Sequence, residues 1–471
     1  LVTMRWWDDL WLNESFAEYA STLAAAEATR WTQAWTTFSS MEKSWAYRQD
    51  QLPSTHPIVA DIGDLEDVEV NFDGITYAKG ASVLKQLVAW VGQDEFFAGV
   101  QAYFAKHAWG NTELRDLLVE LEATSGRDLS AWSGLWLEQA GVTLLRPVVE
   151  LDTHGVITHA AVHQEVPAEH PVQRPHRLVV SGYDVVDGEE GTRLARTSRI
   201  ELDVDGPVTL VPGLVGMSRP DLILVNDEDL AYAKTRLDPD SFAFATSHLH
   251  EFEDSLARTI VWNAAWDMTR DAEVAARDFA DLVLSNIANE TDSSVIQVLL
   301  RQLTTTLGLY AAPRDRDALA ADAADRLQEL ALGAAAGSDL QLQLVKAFAA
   351  HATTAEQLDL LGRIWNGAAV LDGLTIDTDL RWELLTALVA GARVGEAEID
   401  AHLAMDATAT GERAAAAARA AVPTPQAKLA AFHAAVDDVT LANALQSSTI
   451  SGLLRVHDRS LLAPLVGPYF D

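Results

Sequence analysis

Apolar side chains near the start of the chain return with a helical period. Leu12, Phe16, Tyr19 and Leu23 fall on one stripe, and the stretches ASVLKQLVAWV and FFAGVQAYFAKHAW repeat that pattern. Asn111 followed by TELRDLLVELEATSG predicts a complete helix, with Asn111 as the capping residue and Gly126 as the stop. This texture runs to about Ala140 and ends on WLEQAG. From Gly141 to Asp229 it gives way to short runs rich in β-branched residues, VTLLRPVVEL, HRLVVSGYDVV, RIELDV, VTLV and DLILV, separated by Gly, Pro and Asp. Beyond Leu230 the strand signal is gone. Ala- and Leu-rich helical segments follow to the end, with an AAAAARAA tract after Arg413 and breaks at Pro313, Gly373 and Pro423. No fixed repeat period is present. The pattern predicts a mainly helical, multidomain α+β protein: a helical part over 1–140, a small β-sandwich over 141–229 and a C-terminal α-helical array over 230–471.

Composition narrows what such a protein does. At 471 residues, 49% of them hydrophobic and 22% charged, the chain has the make-up of a folded protein with more than one core. It has no apolar run of about 18 residues, so no membrane span is predicted. The formal charge of −35 repels phosphate backbones, which argues against nucleic acid as a partner. With no cysteine, disulfides, thiolate metal sites and cysteine nucleophiles are all excluded, and His, Asp and Glu are the remaining good ligands. A cytoplasmic location and a monomer are the expectations. The opening LVTMRWW starts in mid-phrase, and Leu1 reads as a truncation point.

The stretch DDLWLNESFAEY carries the candidate chemistry. Glu14 and Glu18 lie four apart and share a helix face. On spacing alone, the plain reading is a pair of solvated glutamates. The run LVTMRWWDDLWLNESFAEY, however, resembles the segment that follows H-E-x-x-H in the aminopeptidase N family of zinc metallopeptidases. The glutamate of the L-N-E phrase is that family's third zinc ligand. A second phrase, ITYAKGASVLKQL, resembles the family's Y-x-K-G-A helix start, whose tyrosine is catalytic, and it follows at about the family's interval. WLEQAGV and ILVNDEDLAYAKTRLD are weaker matches. The resemblance spreads over about the first half of the chain; beyond that it rests on helical texture.

What the resemblance implies is specific. Glu14 is a zinc ligand. Tyr77 donates a hydrogen bond to the oxyanion formed from an attacked peptide carbonyl, a role suited to a phenol that stays protonated at working pH. The two histidine ligands, the general-base glutamate and the motif that grips the free amino terminus are expected upstream of Leu1, with one zinc in the intact protein. The chain alone is expected to be inactive. Many relatives have glycine where this sequence has Ser15, a departure that bears on local substrate fit more than on metal binding. The implied fold is the helical part of a thermolysin-like catalytic domain, a β-sandwich and a helical array enclosing the substrate chamber.

Other features carry less. His159 and His163 have zincin spacing, but Ala160 stands where the catalytic glutamate would be, and VITHAAVHQEV reads as a strand. His248 and His250 read as exposed or capping residues. Ten of the fourteen tryptophans precede Ala140 and are expected mainly in the core. Six acids and no base lie between Asp61 and Asp73, either a solvated loop or a negative rim that draws in basic peptides. No serine-hydrolase elbow, P-loop or dinucleotide fingerprint is present. The reaction implied is release of amino-terminal residues from peptide substrates in peptide catabolism. Two alternatives stay open: the epoxide-hydrolysing branch of the same superfamily, and a non-catalytic acidic helical scaffold.

Overall fold

The computed structural model describes residues 2–188 and 191–470, so the reading of Leu1 as a truncation point lies outside the described residues. Two compact units divide the chain at 310/311, beside the break predicted at Pro313. Among the described residues no helix is long and apolar enough to cross a membrane.

In the first unit, the helix Leu10–Ala28 buries Trp11, Leu12, Ser15 and Tyr19. Phe16 and Leu23, on the predicted stripe, are partly buried against the same core. This face packs on the helix Gly80–Val91, most of whose side chains are buried. Close approach depends on Gly80: a Cβ there would stand 1.9 Å from the Ser15 hydroxyl. The helix predicted after Asn111 forms as Leu114–Ser125 and stops at Gly126 in the left-handed region, as expected. Its start differs. Asn111 belongs instead to strand β2 (Asn111–Thr112), which pairs in parallel with β1 (Thr3–Met4). The first free amides of the helix are taken by carboxylates, Glu113 N–H by Asp116 and Leu114 N–H by Asp9. An acidic cap made partly from a distant residue leaves no local Asn signature.

The strands follow as β3 (Leu144–Leu151), β4 (Ile157–Glu165), β5 (His176–Gly188), β6 (Gly191–Val204), β7 (Val208–Leu210), β8 (Leu222–Asp227) and β9 (Lys234–Thr235). They form one sheet in the order β7-β4-β3-β9 and another in the order β6-β5-β8. Leu145, Ile157 and Val162 of the first share one core with Leu178, Val180, Ile223 and Val225 of the second. Alternating strands that bury one face need such a partner sheet. The helices from Pro239 through Asn289 and Ser293 to Thr305 complete the unit.

The tryptophans depart from expectation. Trp11, Trp132 and Trp136 are buried, but Trp6, Trp7, Trp31, Trp45 and Trp109 are exposed. Their amphipathic rings find other partners: Trp6 donates to the Ile62 carbonyl at 2.8 Å, and Arg30 stacks over Trp31.

The second unit is helical throughout its described residues, from Arg316–Gly333 to Val466–Phe470. Breaks fall at Gly373 and Pro423, as the sequence predicts. Ser338, Thr354, Asp377, Thr408 and Thr424 cap five of its helices through their side chains. The alanine tract lies in the helix Ala409–Ala421, where small side chains let neighbouring helices close in. A Cβ on Gly452 would reach the Ala417 carbonyl at 2.0 Å.

Buried charge ties the first unit together. Lys79 Nζ meets Asp50 Oδ2 at 2.8 Å, with both side chains fully buried. Asp50 also accepts from Thr55 Oγ1, from the Gly141 amide and from the Tyr232 hydroxyl. Burial works against the Asp50 carboxylate, but the Lys79 charge and these donors hold its pKa below the usual carboxylate value. Lys43 pairs in the same way with Asp229, beyond the end of β8. Removing one partner of a buried pair leaves an uncompensated charge. Asp50→Ala is therefore expected to cost about 3–5 kcal/mol. The double variant Asp50→Ala, Lys79→Met should recover most of that loss. Urea unfolding followed by circular dichroism checks both, and an Asp50→Ala protein with an unchanged midpoint would contradict the argument.

Candidate active site

Glu14 stands in the second turn of the helix Leu10–Ala28, half-buried, with Glu18 one turn further along the same face. Ser15, next in sequence, turns inward and is fully buried. Its hydroxyl donates to the Thr76 carbonyl at 2.7 Å. The residue after Glu14 is thus fastened to the residue before Tyr77. Ser15 faces the packed interior, and its hydroxyl is a bridge between two segments.

Tyr77 lies in a wide helical turn, Ile75–Lys79, that leads into the helix Gly80–Val91. Asp73 opens this turn: one oxygen accepts from the Ile75 and Thr76 amides, and the other is held by Gln49 and by the His56 ring. Gly74 admits the Trp45 ring, which an added Cβ would meet at 3.0 Å. At the far end of the turn, Lys79 is anchored in its buried pair with Asp50. Between these fixed points the Tyr77 ring rests on Phe72, and its phenol lies close enough to Glu14 and Glu18 to feel both charges. Burial first, then the neighbouring Glu14 carboxylate and the charge of Glu18, push the Tyr77 pKa up to about 12. The group remains a protonated donor throughout the neutral range.

The structure therefore brings together the two residues singled out in the sequence, Glu14 and Tyr77. Glu18 is not the solvated glutamate that spacing suggested. One of its oxygens is shut off from solvent with no partner, and burial followed by the Glu42 charge raises its pKa to about 7. Among the described residues no group of three His, Asp or Glu side chains comes together as a metal site. Glu14 is a single carboxylate, and among the described residues no others join it in such a group.

The remaining candidates resolve plainly. His159 and His163 both lie on β4, where four residues extend over roughly 13 Å, too far to share an ion. His248 stacks on Phe244 and meets Glu251, and the His250 ring meets Asn286. The acidic stretch is not a loop alone: Leu65–Val70 is a short helix with an Asp64/Asp67 capping box. Asp73, the acid nearest Tyr77, builds the tyrosine's turn, although Glu66 and Glu69 are exposed. The sequence reading missed the positioning parts played by Asp73, Ser15 and Lys79. An acid two residues before Ile75 is a legible turn signal, whereas nothing local marks Lys79 as buried.

Residues 1–136 match the Peptidase family M1 domain, and residues 222–471 match the ERAP1-like C-terminal domain. The chain is 54% identical to the Aminopeptidase N of Streptomyces lividans, over 100% of this chain and 56% of that protein. It is 41% identical to Probable aminopeptidase 2 of Sulfurisphaera tokodaii over 33% of this chain and 19% of the relative. To the Leucyl aminopeptidase of Saccharolobus solfataricus it is 38% identical, over 31% and 19%. The chain thus spans little more than half the length of the Streptomyces protein and less of the other two. One domain model covers the segment that joins Glu14 to Tyr77 and the other covers more than half of the chain, and on these matches the chain belongs to the aminopeptidase N family.

Proposed function

We propose that this chain supplies the carboxylate ligand and the catalytic tyrosine of a zinc-dependent aminopeptidase that releases amino-terminal residues from peptides. The observation that carries the reading is the placement of the Tyr77 phenol beside the Glu14 carboxylate, two residues 63 positions apart whose neighbours Thr76 and Ser15 are hydrogen-bonded to each other. Relatives named as aminopeptidases support it. In this proposal residues 1–140 are the helical part of a thermolysin-like catalytic domain, 141–229 a β-sandwich and 230–471 a helical array. Two histidine ligands and the general base come from the upstream half that relatives carry, and the setting is cytoplasmic peptide breakdown.

Zinc, when bound, supplies the Lewis acidity for hydrolysis. The chain's own residues do the rest of the work described here. Glu14 would give one carboxylate to the metal. As charge develops on the attacked carbonyl oxygen, Tyr77 donates its O–H to that oxygen, and its raised pKa keeps the proton on the phenol. Asp73 and Lys79 hold the turn at either side, so the donor needs little reorganisation when the charge forms.

Two substitutions separate these roles in the full-length protein, meaning this chain together with the upstream half its relatives carry. Tyr77→Phe should leave zinc content unchanged and lower kcat and kcat/KM together by about a hundred- to a thousandfold. Retention of more than about a tenth of kcat would rule out the oxyanion role. Glu14→Gln keeps the side-chain shape but removes the charge, so zinc affinity and activity should fall together. Zinc measured at full occupancy in Glu14→Gln would refute the ligand role.

A further inference from the structure

A cleft of about 570 Å³ opens in the first unit beside the candidate active site. Three arginines from three helices line it: Arg48 from Lys43–Asp50, Arg270 from Ser255–Arg270 and Arg301 from Ser293–Thr305. None of the three meets a carboxylate within ion-pair distance among the described residues. Elsewhere Arg146, Arg177, Arg196, Arg199, Arg236 and Arg258 are paired with carboxylates, whereas Arg174 and Arg381 meet backbone carbonyls; what sets these three apart is that they converge on one cleft. Two acids share the lining, Glu42 and Asp267, which leaves one positive charge in excess.

The cleft is joined to the Glu14–Tyr77 site by two shared residues. Trp45 lines it and packs on Gly74, at the start of the tyrosine's turn. Glu42 lines it and acts on Glu18, one turn beyond Glu14. The combined surface is therefore acidic at Glu14, Glu18 and Glu42 and basic at the three arginines. A short unblocked peptide has the matching polarity, an ammonium at one end and a carboxylate at the other. Guanidinium groups suit the carboxylate because their planar forks match its two oxygens.

We propose that Arg48, Arg270 and Arg301 form a binding site for a carboxylate of the peptide substrate, in first place its free carboxyl terminus. The site gives the enzyme a preference for short unblocked peptides. This rests on the aminopeptidase reading for the word substrate, but the binding itself is measured without turnover.

The test uses the full-length protein and an oligoalanine series, each length made as the free acid and as the carboxyl-terminal amide, with binding read by isothermal titration calorimetry on the zinc-depleted protein and KM read in parallel on the zinc-loaded one. One length of the acid should bind about ten- to a hundredfold tighter than its amide, the range expected when hydrogen bonds to a charged group are gained. Arg48→Ala and Arg301→Ala, both exposed side chains without partners, should each bring that ratio towards one. Arg277→Ala, an exposed arginine outside the cleft, should leave it unchanged. An amide peptide carrying one internal glutamate that binds tighter than its alanine counterpart would identify a side-chain carboxylate as the ligand and still support the site. Equal affinity of acid and amide at every length would overturn the proposal, as would an acid preference that survives both arginine variants. A protein that releases no amino-terminal residue yet keeps the arginine-dependent acid preference would refute the peptidase reading alone.

Discussion

The position of Tyr77 depends on the burial of an ion pair whose lysine lies two residues away. Lys79 and Asp50 are both fully buried, and a charge in that setting is tolerated only when its partner and supporting hydrogen bonds stay in place. The partners of Asp50 come from its own helix end, from Gly141 at the start of the β-rich region and from Tyr232 after β8. The tyrosine's turn therefore takes its place from three stretches of chain far apart in sequence. A local loop could fold without them, but its phenol would have no fixed relation to Glu14.

How much of this was legible in the sequence follows from where the determining contacts lie. Helix Leu10–Ala28 and the strands were readable because burial on one face imposes a period on a continuous stretch. The stop at Gly126 was readable because its backbone conformation favours one residue type. The start of that helix was misread at Asn111 because its cap is completed by Asp9, more than a hundred residues away. Exposed tryptophans were misjudged because residue type alone does not say which ring finds a cation or carbonyl at the surface. The Glu14–Tyr77 pair was found through the family phrases and not through physics. Spacing alone gave Glu14 and Glu18 as ordinary surface acids, and the three arginines of the cleft come from separate helices with no shared motif.

Electrostatic organisation is finer than the net charge suggests. A chain at −35 still sets unpaired arginines in one cleft and unpartnered carboxylate at Glu18 nearby. Buried pairs carry the architecture, while the three arginines of the cleft and one oxygen of Glu18 are left without an ionic partner. That division is physically reasonable, since groups already neutralised by partners have less to offer a ligand.

The bond from the Ser15 hydroxyl to the Thr76 carbonyl bears on motion. It joins the immediate neighbour of Glu14 to the immediate neighbour of Tyr77, and Gly80 lets the two segments touch with no side chain between. A relative displacement of the two helices must therefore stretch or break this bond, which makes it one restraint on the gap between Glu14 and Tyr77.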